Sequence, residues 1–180
     1  MEGLRSSLLQ TLPFAVLIVV VVVILRKRGA TRESLRLVWP PLGTTAAWIA
    51  GFVLWAVALE LLNRQLGMHE VDSWRARFGA AAIAVRVLGI MLLAPVAEEL
   101  VFRGILLPRL ARTRLGGVGA VLVTAAFFAA LHFAAPAAML LIFLDGVFFG
   151  VARLRSNSLI LPMLMHILGN TYAVAERLFA

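Results

Sequence analysis

The stretch LGIMLLAPVAEELVFRGILL, residues 88–107, decides how the fold of this chain is interpreted. It is apolar apart from two adjacent glutamates, Glu98 and Glu99, and Arg103 one helical turn later. An ionisable side chain at the centre of a membrane helix costs roughly 2.5–3.5 kcal/mol on insertion scales. Two carboxylates in one apolar helix therefore indicate a functional site.

The composition predicts that the chain lies in a lipid bilayer. Of its 180 residues 62% are hydrophobic, and the mean hydropathy is +0.98, which is too apolar for a soluble domain. The net charge of +8 does not predict a nucleic-acid partner, because the arginines cluster at the ends of apolar runs, where they suit anionic lipid headgroups. The absence of cysteine excludes disulfides, thiolate metal sites and a cysteine nucleophile.

Apolar runs long enough to cross a bilayer recur along the whole sequence. They predict an all-α fold, a polytopic membrane helical bundle of about six transmembrane helices in a single membrane-embedded domain, residues 1–180. The predicted spans are residues 8–25, 44–62, 80–107, 117–135, 137–151 and 158–174. The third span carries both glutamates, and Pro95 is expected to kink it.

Basic residues between the spans predict the orientation, because arginine and lysine stay on the cytoplasmic side of a membrane. The loops after the first, third and fifth spans carry most of them, namely Arg26, Lys27, Arg28, Arg32, Arg36, Arg109, Arg112, Arg114, Arg153 and Arg155. Both termini are therefore predicted to face outside. A rise of about 1.5 Å per residue then puts Glu98 and His166 near mid-bilayer and His132 somewhat beyond it.

Residues four apart share one face of a helix, and three such pairs carry polar groups. The pairs are Glu99 with Arg103, Phe128 with His132, and His166 with Asn170. Glu98, about 100° around the helix from Glu99, is left to point elsewhere. A carboxylate beside a histidine can activate water, and a histidine with an asparagine can stabilise an oxyanion. These groups together predict a hydrolase.

Two features lie outside those pairs. Asp145 is an acid in the fifth predicted span that could pair with Arg153 or Arg155 or cap the site, and no direct catalytic role is expected for it. Gly146 and Gly150 form a GxxxG pattern, which is typical of two helices that approach closely.

Three short motifs carry a resemblance to a known family. They are EELVFR at residues 98–103, FAALH at residues 128–132 and HILGN at residues 166–170, which match EExxxR, FxxxH and HxxxN. In this order and in membrane helices they resemble the CPBP family, the CAAX-protease and bacteriocin-processing intramembrane proteases related to the Rce1-type prenyl-protein endopeptidases. The resemblance implies a catalytic core over residues 80–180, with accessory helices over residues 1–79.

The resemblance implies glutamate-dependent peptide hydrolysis within the membrane. In the family the first glutamate, here Glu98, acts with the histidine of the second motif, here His132, to activate water. The histidine and asparagine of the third motif, here His166 and Asn170, are assigned to the oxyanion hole.

The remaining motif residues have supporting roles by the same resemblance, Glu99 and Arg103 beside the catalytic glutamate and Phe128 as a packing or substrate-lining residue. Some descriptions call the family metalloproteases, and histidines with glutamates can bind zinc. A metal-free mechanism is favoured, because the sequence has no HExxH motif.

The expected substrate is a membrane-associated protein or peptide cleaved close to a membrane helix, such as a leader peptide, an anti-sigma factor or a sorting signal. The small, basic, N-anchored chain resembles bacterial proteins, which predicts a multi-pass protein of the bacterial inner membrane and argues against prenylated substrates. Two alternatives are a non-proteolytic immunity or scaffold protein that retains the site residues, and a proton-coupled carrier. A carrier is disfavoured because the six spans contain no repeated half.

Overall fold

The computed structural model of the protein describes residues 2–67, 71–132 and 136–180. Within these ranges the chain forms seven helices and no strand, so the all-α prediction is confirmed. The helices are α1 (Glu2–Lys27), α2 (Leu42–Gln65), α3 (Trp74–Arg77), α4 (Ala80–Ala111), α5 (Gly116–Ala130), α6 (Pro136–Ser156) and α7 (Ile160–Phe179). Each predicted span coincides with one of the six longer helices. Residues 133–135, the predicted end of the fourth span, lie outside the described residues.

Three of the helices in the described ranges are long and apolar enough to cross a bilayer: Gly3–Lys27, Leu42–Gln65 and Ala80–Ala111. α5 is also apolar but has only 15 residues, or about 22 Å, which is shorter than a hydrocarbon core of about 30 Å. The protein is a helical membrane bundle, and the count of six spans stays a prediction.

Pro95 lies inside α4, and the helix accommodates it by widening the preceding turn. Gly89–Leu93 is a π-helical segment, and the N–H of Ala94 donates to the carbonyl of Gly89, five residues earlier. The same register would pair the Ile90 carbonyl with the nitrogen of residue 95, which is proline and has no N–H. The Ile90 carbonyl therefore needs a donor from outside α4.

The same arrangement recurs before Pro108. A second π-helical segment, Leu100–Leu106, ends in another hydrogen bond that spans five residues. The next carbonyl, that of Arg103, would need an N–H from Pro108, which has none. Its donor is Arg153 of α6, whose Nε lies 3.2 Å from the Arg103 oxygen. Lipid offers no donor to such carbonyls, so the protein has to supply one.

The described helices belong to two compact units. The first comprises Met1–Ala30, Glu70–Glu98 and His166–Ala180, and the second comprises Thr31–His69 and Glu99–Met165. On α4 the boundary falls between the two adjacent glutamates, so that Glu98 belongs to the first unit and Glu99 to the second.

In the first unit, α1 packs closely against the beginning of α4. Thr11 Oγ1 donates to the Val85 carbonyl at 3.3 Å, and a Cβ added at Gly89 would overlap the Thr11 side chain. Arg86 Nε donates to Ser7 Oγ at 2.9 Å. α1 therefore lies directly against the widened turn before Pro95, and only glycine at position 89 permits this approach.

In the second unit, α5 and α6 meet at glycines. Cβ atoms added at Gly146 and Gly150 would lie 3.0 Å from Ala125 Cβ and from Val121 Cγ1, respectively. Helix backbones come this close only where the side chains between them are small. The close packing predicted from the GxxxG pattern is confirmed.

α2 is attached to α6 in the same unit by a hydrogen bond and by aromatic packing. Trp55 Nε1 donates to Asp145 Oδ1 at 2.9 Å, and the Trp55 ring stacks on Phe148 with 5.4 Å between the ring centroids. Asp145 thus accepts a hydrogen bond that joins two helices, and its lack of a direct catalytic role stays a prediction.

Candidate active site

Glu98 of α4 and His166 of α7 face each other within the first unit. Glu98 Oε2 lies 3.6 Å from His166 Nε2, and the two side chains are 17% and 8% exposed, respectively. This separation is slightly longer than a hydrogen bond but within the range of an ion pair when the imidazole is protonated. Because charges interact more strongly in an apolar environment than in water, a protonated His166 would attract the Glu98 carboxylate strongly.

Asn170 of α7 satisfies the backbone of α4. Its Nδ2 donates to the Ile90 carbonyl at 2.7 Å, which is the carbonyl that Pro95 leaves without a backbone donor. Asn170 follows His166 by one helical turn, so the helix face that presents the imidazole also fills this gap. A carboxamide has two N–H donors, and the second of them can serve another acceptor.

Glu99 and Arg103 form a buried ion pair in the second unit. Arg103 Nη1 lies 2.8 Å from Glu99 Oε1, and both side chains are 0% exposed. Arg103 Nη2 also donates to the Gly146 carbonyl at 2.9 Å. The predicted pairing along one face of α4 is therefore confirmed, and it fixes that face of α4 to α6.

Aromatic rings surround the guanidinium of Arg103. Its carbon Cζ lies 4.7 Å from the ring centroid of Phe128, 5.5 Å from that of Phe149 and 5.8 Å from that of Phe102. Cations are attracted to the faces of such rings, most strongly where water is excluded. Phe128, predicted as a packing or substrate-lining residue, thus packs on the buried cation.

His132 lies just beyond α5 rather than within it. The helix ends at Ala130 and residues 131–132 form a turn, so the prediction of a helix continuing through His132 is wrong. The reason is local: α6 begins as a separate helix at Pro136, and proline is favoured at the first position of a helix, where its missing N–H costs no hydrogen bond.

The tautomer of His132 follows from its hydrogen bond. Its Nδ1 lies 2.8 Å from the Phe128 carbonyl, and a carbonyl can only accept. Nδ1 must therefore carry a proton, and in the neutral ring Nε2 is left as the acceptor. The side chain is exposed, so Nε2 is placed to take a proton from water.

The predicted site residues fall into two groups, each within one unit. The first unit holds Glu98, His166 and Asn170, and the second holds Glu99, Arg103, Phe128 and His132. The sequence analysis missed the Ile90 carbonyl and Arg153. The available signal was the pair of prolines in α4, because a proline inside a helix leaves a carbonyl about one turn before it without a backbone donor; the offset of five residues depends on the π-helical turns.

The zinc alternative finds no ligand set among the described residues. Glu98 and His166 contribute two donors, whereas zinc sites in proteins use at least three protein ligands. In the ranges 2–67, 71–132 and 136–180, no group of three or more His, Asp or Glu side chains is placed to hold a metal ion. Two such donors are too few for a zinc site, and a metal-free site stays a prediction.

Comparisons with known proteins agree with the motifs. Residues 80–172 match the model of a protein family described as type II CAAX prenyl endopeptidase Rce1-like. A protein of Escherichia coli described as "Uncharacterized 24.3 kDa protein" is 38% identical over 133 residues, which are 69% of this chain and 60% of that protein. The chain thus spans 60% of the length of this curated relative. No solved structure matches.

Removal of the Arg103 charge should destabilise the protein strongly. Arg103→Met leaves Glu99 buried without its cation, which is expected to lower the free energy of unfolding by about 3–5 kcal/mol. Arg109→Met is the matched control, because Arg109 is exposed near the end of the same helix and its loss should change stability by less than about 0.5 kcal/mol. Unfolding titrations in mild detergent measure both; equal stabilities would contradict the structural role of the ion pair.

A double-mutant cycle should reveal the backbone role of Asn170. Asn170→Ala leaves the Ile90 carbonyl buried without a donor, at a cost of about 1–3 kcal/mol. In a Pro95→Ala background residue 95 regains an N–H, so we expect the Asn170→Ala cost to fall by about 1 kcal/mol.

Thr171→Ala provides the control for this cycle, because Thr171 Oγ1 donates only within its own helix, to the Ile167 carbonyl at 2.7 Å. Its cost, measured by the same detergent unfolding titration, should be equal in both backgrounds. Strict additivity of Pro95→Ala and Asn170→Ala would show that Asn170 does not replace the missing N–H.

Proposed function

Because the chain belongs to the Rce1-like family of type II CAAX prenyl endopeptidases, we propose that it is an intramembrane endopeptidase. It hydrolyses a peptide bond of a membrane-associated protein or peptide. The observation that carries this proposal is the contact of 3.6 Å between Glu98 Oε2 and His166 Nε2, because it pairs two ionisable groups of two separate family motifs within an apolar helix bundle.

Water activation is assigned to Glu98 and His132. The hydrogen bond from His132 Nδ1 to the Phe128 carbonyl supports this role, since it leaves Nε2 free of a proton in the neutral ring. Glu98, acting with His132, takes a proton from water as the water oxygen attacks the carbon of the scissile carbonyl. The same proton then passes to the nitrogen of the leaving amine, so that the enzyme returns to its starting state.

Stabilisation of the tetrahedral intermediate is assigned to His166 and Asn170. An imidazole N–H and the second amide N–H of Asn170 are suitable donors to an oxyanion. The first amide N–H, held by Ile90, restricts the rotation of the Asn170 side chain. This restriction supports catalysis, because a fixed donor needs no reorganisation when charge develops on the substrate.

A segment next to a membrane helix is the proposed substrate, and the bacterial inner membrane is the proposed location. The segment could be a leader peptide, the tail of a sorting signal or part of an anti-sigma factor. Prenylated proteins, to which the family description refers, are not proposed here. The site is proposed to work without a metal.

A non-proteolytic scaffold or immunity protein is the second candidate. The observation that favours it is that motif residues also hold the fold together: Glu99 and Arg103 form a buried pair, and Asn170 satisfies the backbone of α4. Such residues would be retained even without catalysis. The two candidates differ in whether Glu98, whose carboxylate is 17% exposed, is needed for peptide cleavage.

Substitutions of the site should have graded effects on cleavage. Glu98→Gln and His132→Ala should each reduce turnover by about 10²–10⁴-fold, the usual contribution of a positioned acid or base. Asp145→Asn is the matched control, a carboxylate changed to an amide that still offers an oxygen to the Trp55 N–H, and it should retain most of the activity.

The measurement uses purified protein in detergent with quenched peptides and membrane-tethered reporters. Unfolding titrations of the same samples separate loss of catalysis from loss of folding. Equal turnover by Glu98→Gln and wild-type protein would rule out the proposed mechanism. A complete absence of turnover, with all variants folded, would favour the scaffold.

A further inference from the structure

Arg153 carries a charge that its structural role does not require. Its Nε donates to the Arg103 carbonyl at 3.2 Å, which replaces the N–H that Pro108 lacks. The equivalent gap before Pro95 is filled by Asn170, a neutral amide. A neutral donor is therefore sufficient for this role, and the positive charge of Arg153 needs a separate explanation.

The environment of Arg153 increases the cost of that charge. The side chain is only 5% exposed, and no Asp or Glu among the described residues pairs with it. Arg153 lies outside the fifth predicted span, which ends at residue 151. Burial lowers the pKa of Arg153, and the nearby charge of Arg36 lowers it further. The Arg36 side chain is exposed, so an anion that reaches it from the surface would relieve its repulsion with the buried charge of Arg153.

The loop between α1 and α2 holds the second cation in place. Arg36 has φ of 57°, a left-handed conformation that costs a non-glycine residue roughly 1–2 kcal/mol. Its carbonyl accepts the N–H of Leu159 at 2.8 Å, and Ser158 Oγ donates to the Val38 carbonyl at 2.6 Å. These bonds attach the loop to the beginning of α7. The strained backbone at Arg36 is therefore built into the fold.

The Arg153 guanidinium still has donors to offer. Within the described part of the chain, its two Nη groups donate to no acceptor, and neither is among the fully enclosed polar atoms. The planar fork of an arginine matches the oxygens of a phosphate, and two guanidiniums can hold one phosphate together. Both arginines also belong to the predicted cytoplasmic side, where bilayers expose anionic lipid headgroups.

We propose that Arg36 and Arg153 form a binding site for a phosphate group, carried by an anionic lipid headgroup or present as free phosphate. The phosphate accepts from both guanidiniums and neutralises their mutual repulsion. The hydrogen bond from Arg153 Nε connects this site to α4, the helix that carries Glu98 and Glu99. This proposal does not depend on proteolysis.

Native mass spectrometry of the delipidated protein tests the site. Phosphatidylglycerol is titrated against wild-type protein, Arg36→Asn and Arg153→Gln, with phosphatidylcholine as the neutral lipid. Asparagine at position 36 tolerates the left-handed conformation, so Arg36→Asn should fold even if Arg153→Gln does not. We expect Arg36→Asn to weaken phosphatidylglycerol binding about tenfold, the loss of one charge-assisted interaction.

Arg32→Gln is the matched control, an exposed arginine of the same loop, and it should bind phosphatidylglycerol like the wild type. A competition with inorganic phosphate distinguishes the sources: displacement of the lipid at micromolar phosphate assigns free phosphate, and retention at millimolar phosphate assigns the lipid. The proposal is overturned if Arg36→Asn binds both probes as tightly as wild type, or if Arg32→Gln weakens binding equally.

Discussion

Two prolines inside one membrane-length helix leave two backbone carbonyls without a donor from that helix. Side chains of two other helices supply the missing hydrogen bonds. In water such carbonyls would be hydrated, but in lipid they must find donors within the protein. Asn170 of α7 reaches the carbonyl of Ile90, and Arg153 of α6 reaches that of Arg103. The π-helical turns of α4 are thus the points at which other helices attach to it, which fits the frequent occurrence of such turns at functional sites.

The buried ion pair separates the roles of the two adjacent glutamates. Glu99 is committed to Arg103, with both side chains fully buried, and removing either partner would leave an uncompensated charge. Glu98 lies about 100° around the helix, remains 17% exposed and faces His166. One glutamate therefore stabilises the helix packing, while its neighbour faces a histidine of α7.

The sequence was sufficient to predict the helical bundle, the pairing of Glu99 with Arg103 and the close approach at Gly146, because these follow from apolar run lengths and from helical spacing. It was not sufficient to place His132, since the end of α5 depends on a break before the next helix. It also missed the roles of Asn170 and Arg153 in satisfying α4. Those roles depend on which helices become neighbours, and helical periodicity along a single chain carries no information about that.

The proposed hydrolysis by a glutamate-activated water is tested most directly by the fate of the water oxygen. Purified protein is incubated in H₂¹⁸O with membrane-tethered peptides and a chelator, and the products are weighed by mass spectrometry. We predict one ¹⁸O atom in each new carboxyl terminus, with cleavage unaffected by the chelator and reduced about 10²–10⁴-fold in Glu98→Gln protein. Labelled products from the Glu98→Gln protein at the wild-type rate would contradict it.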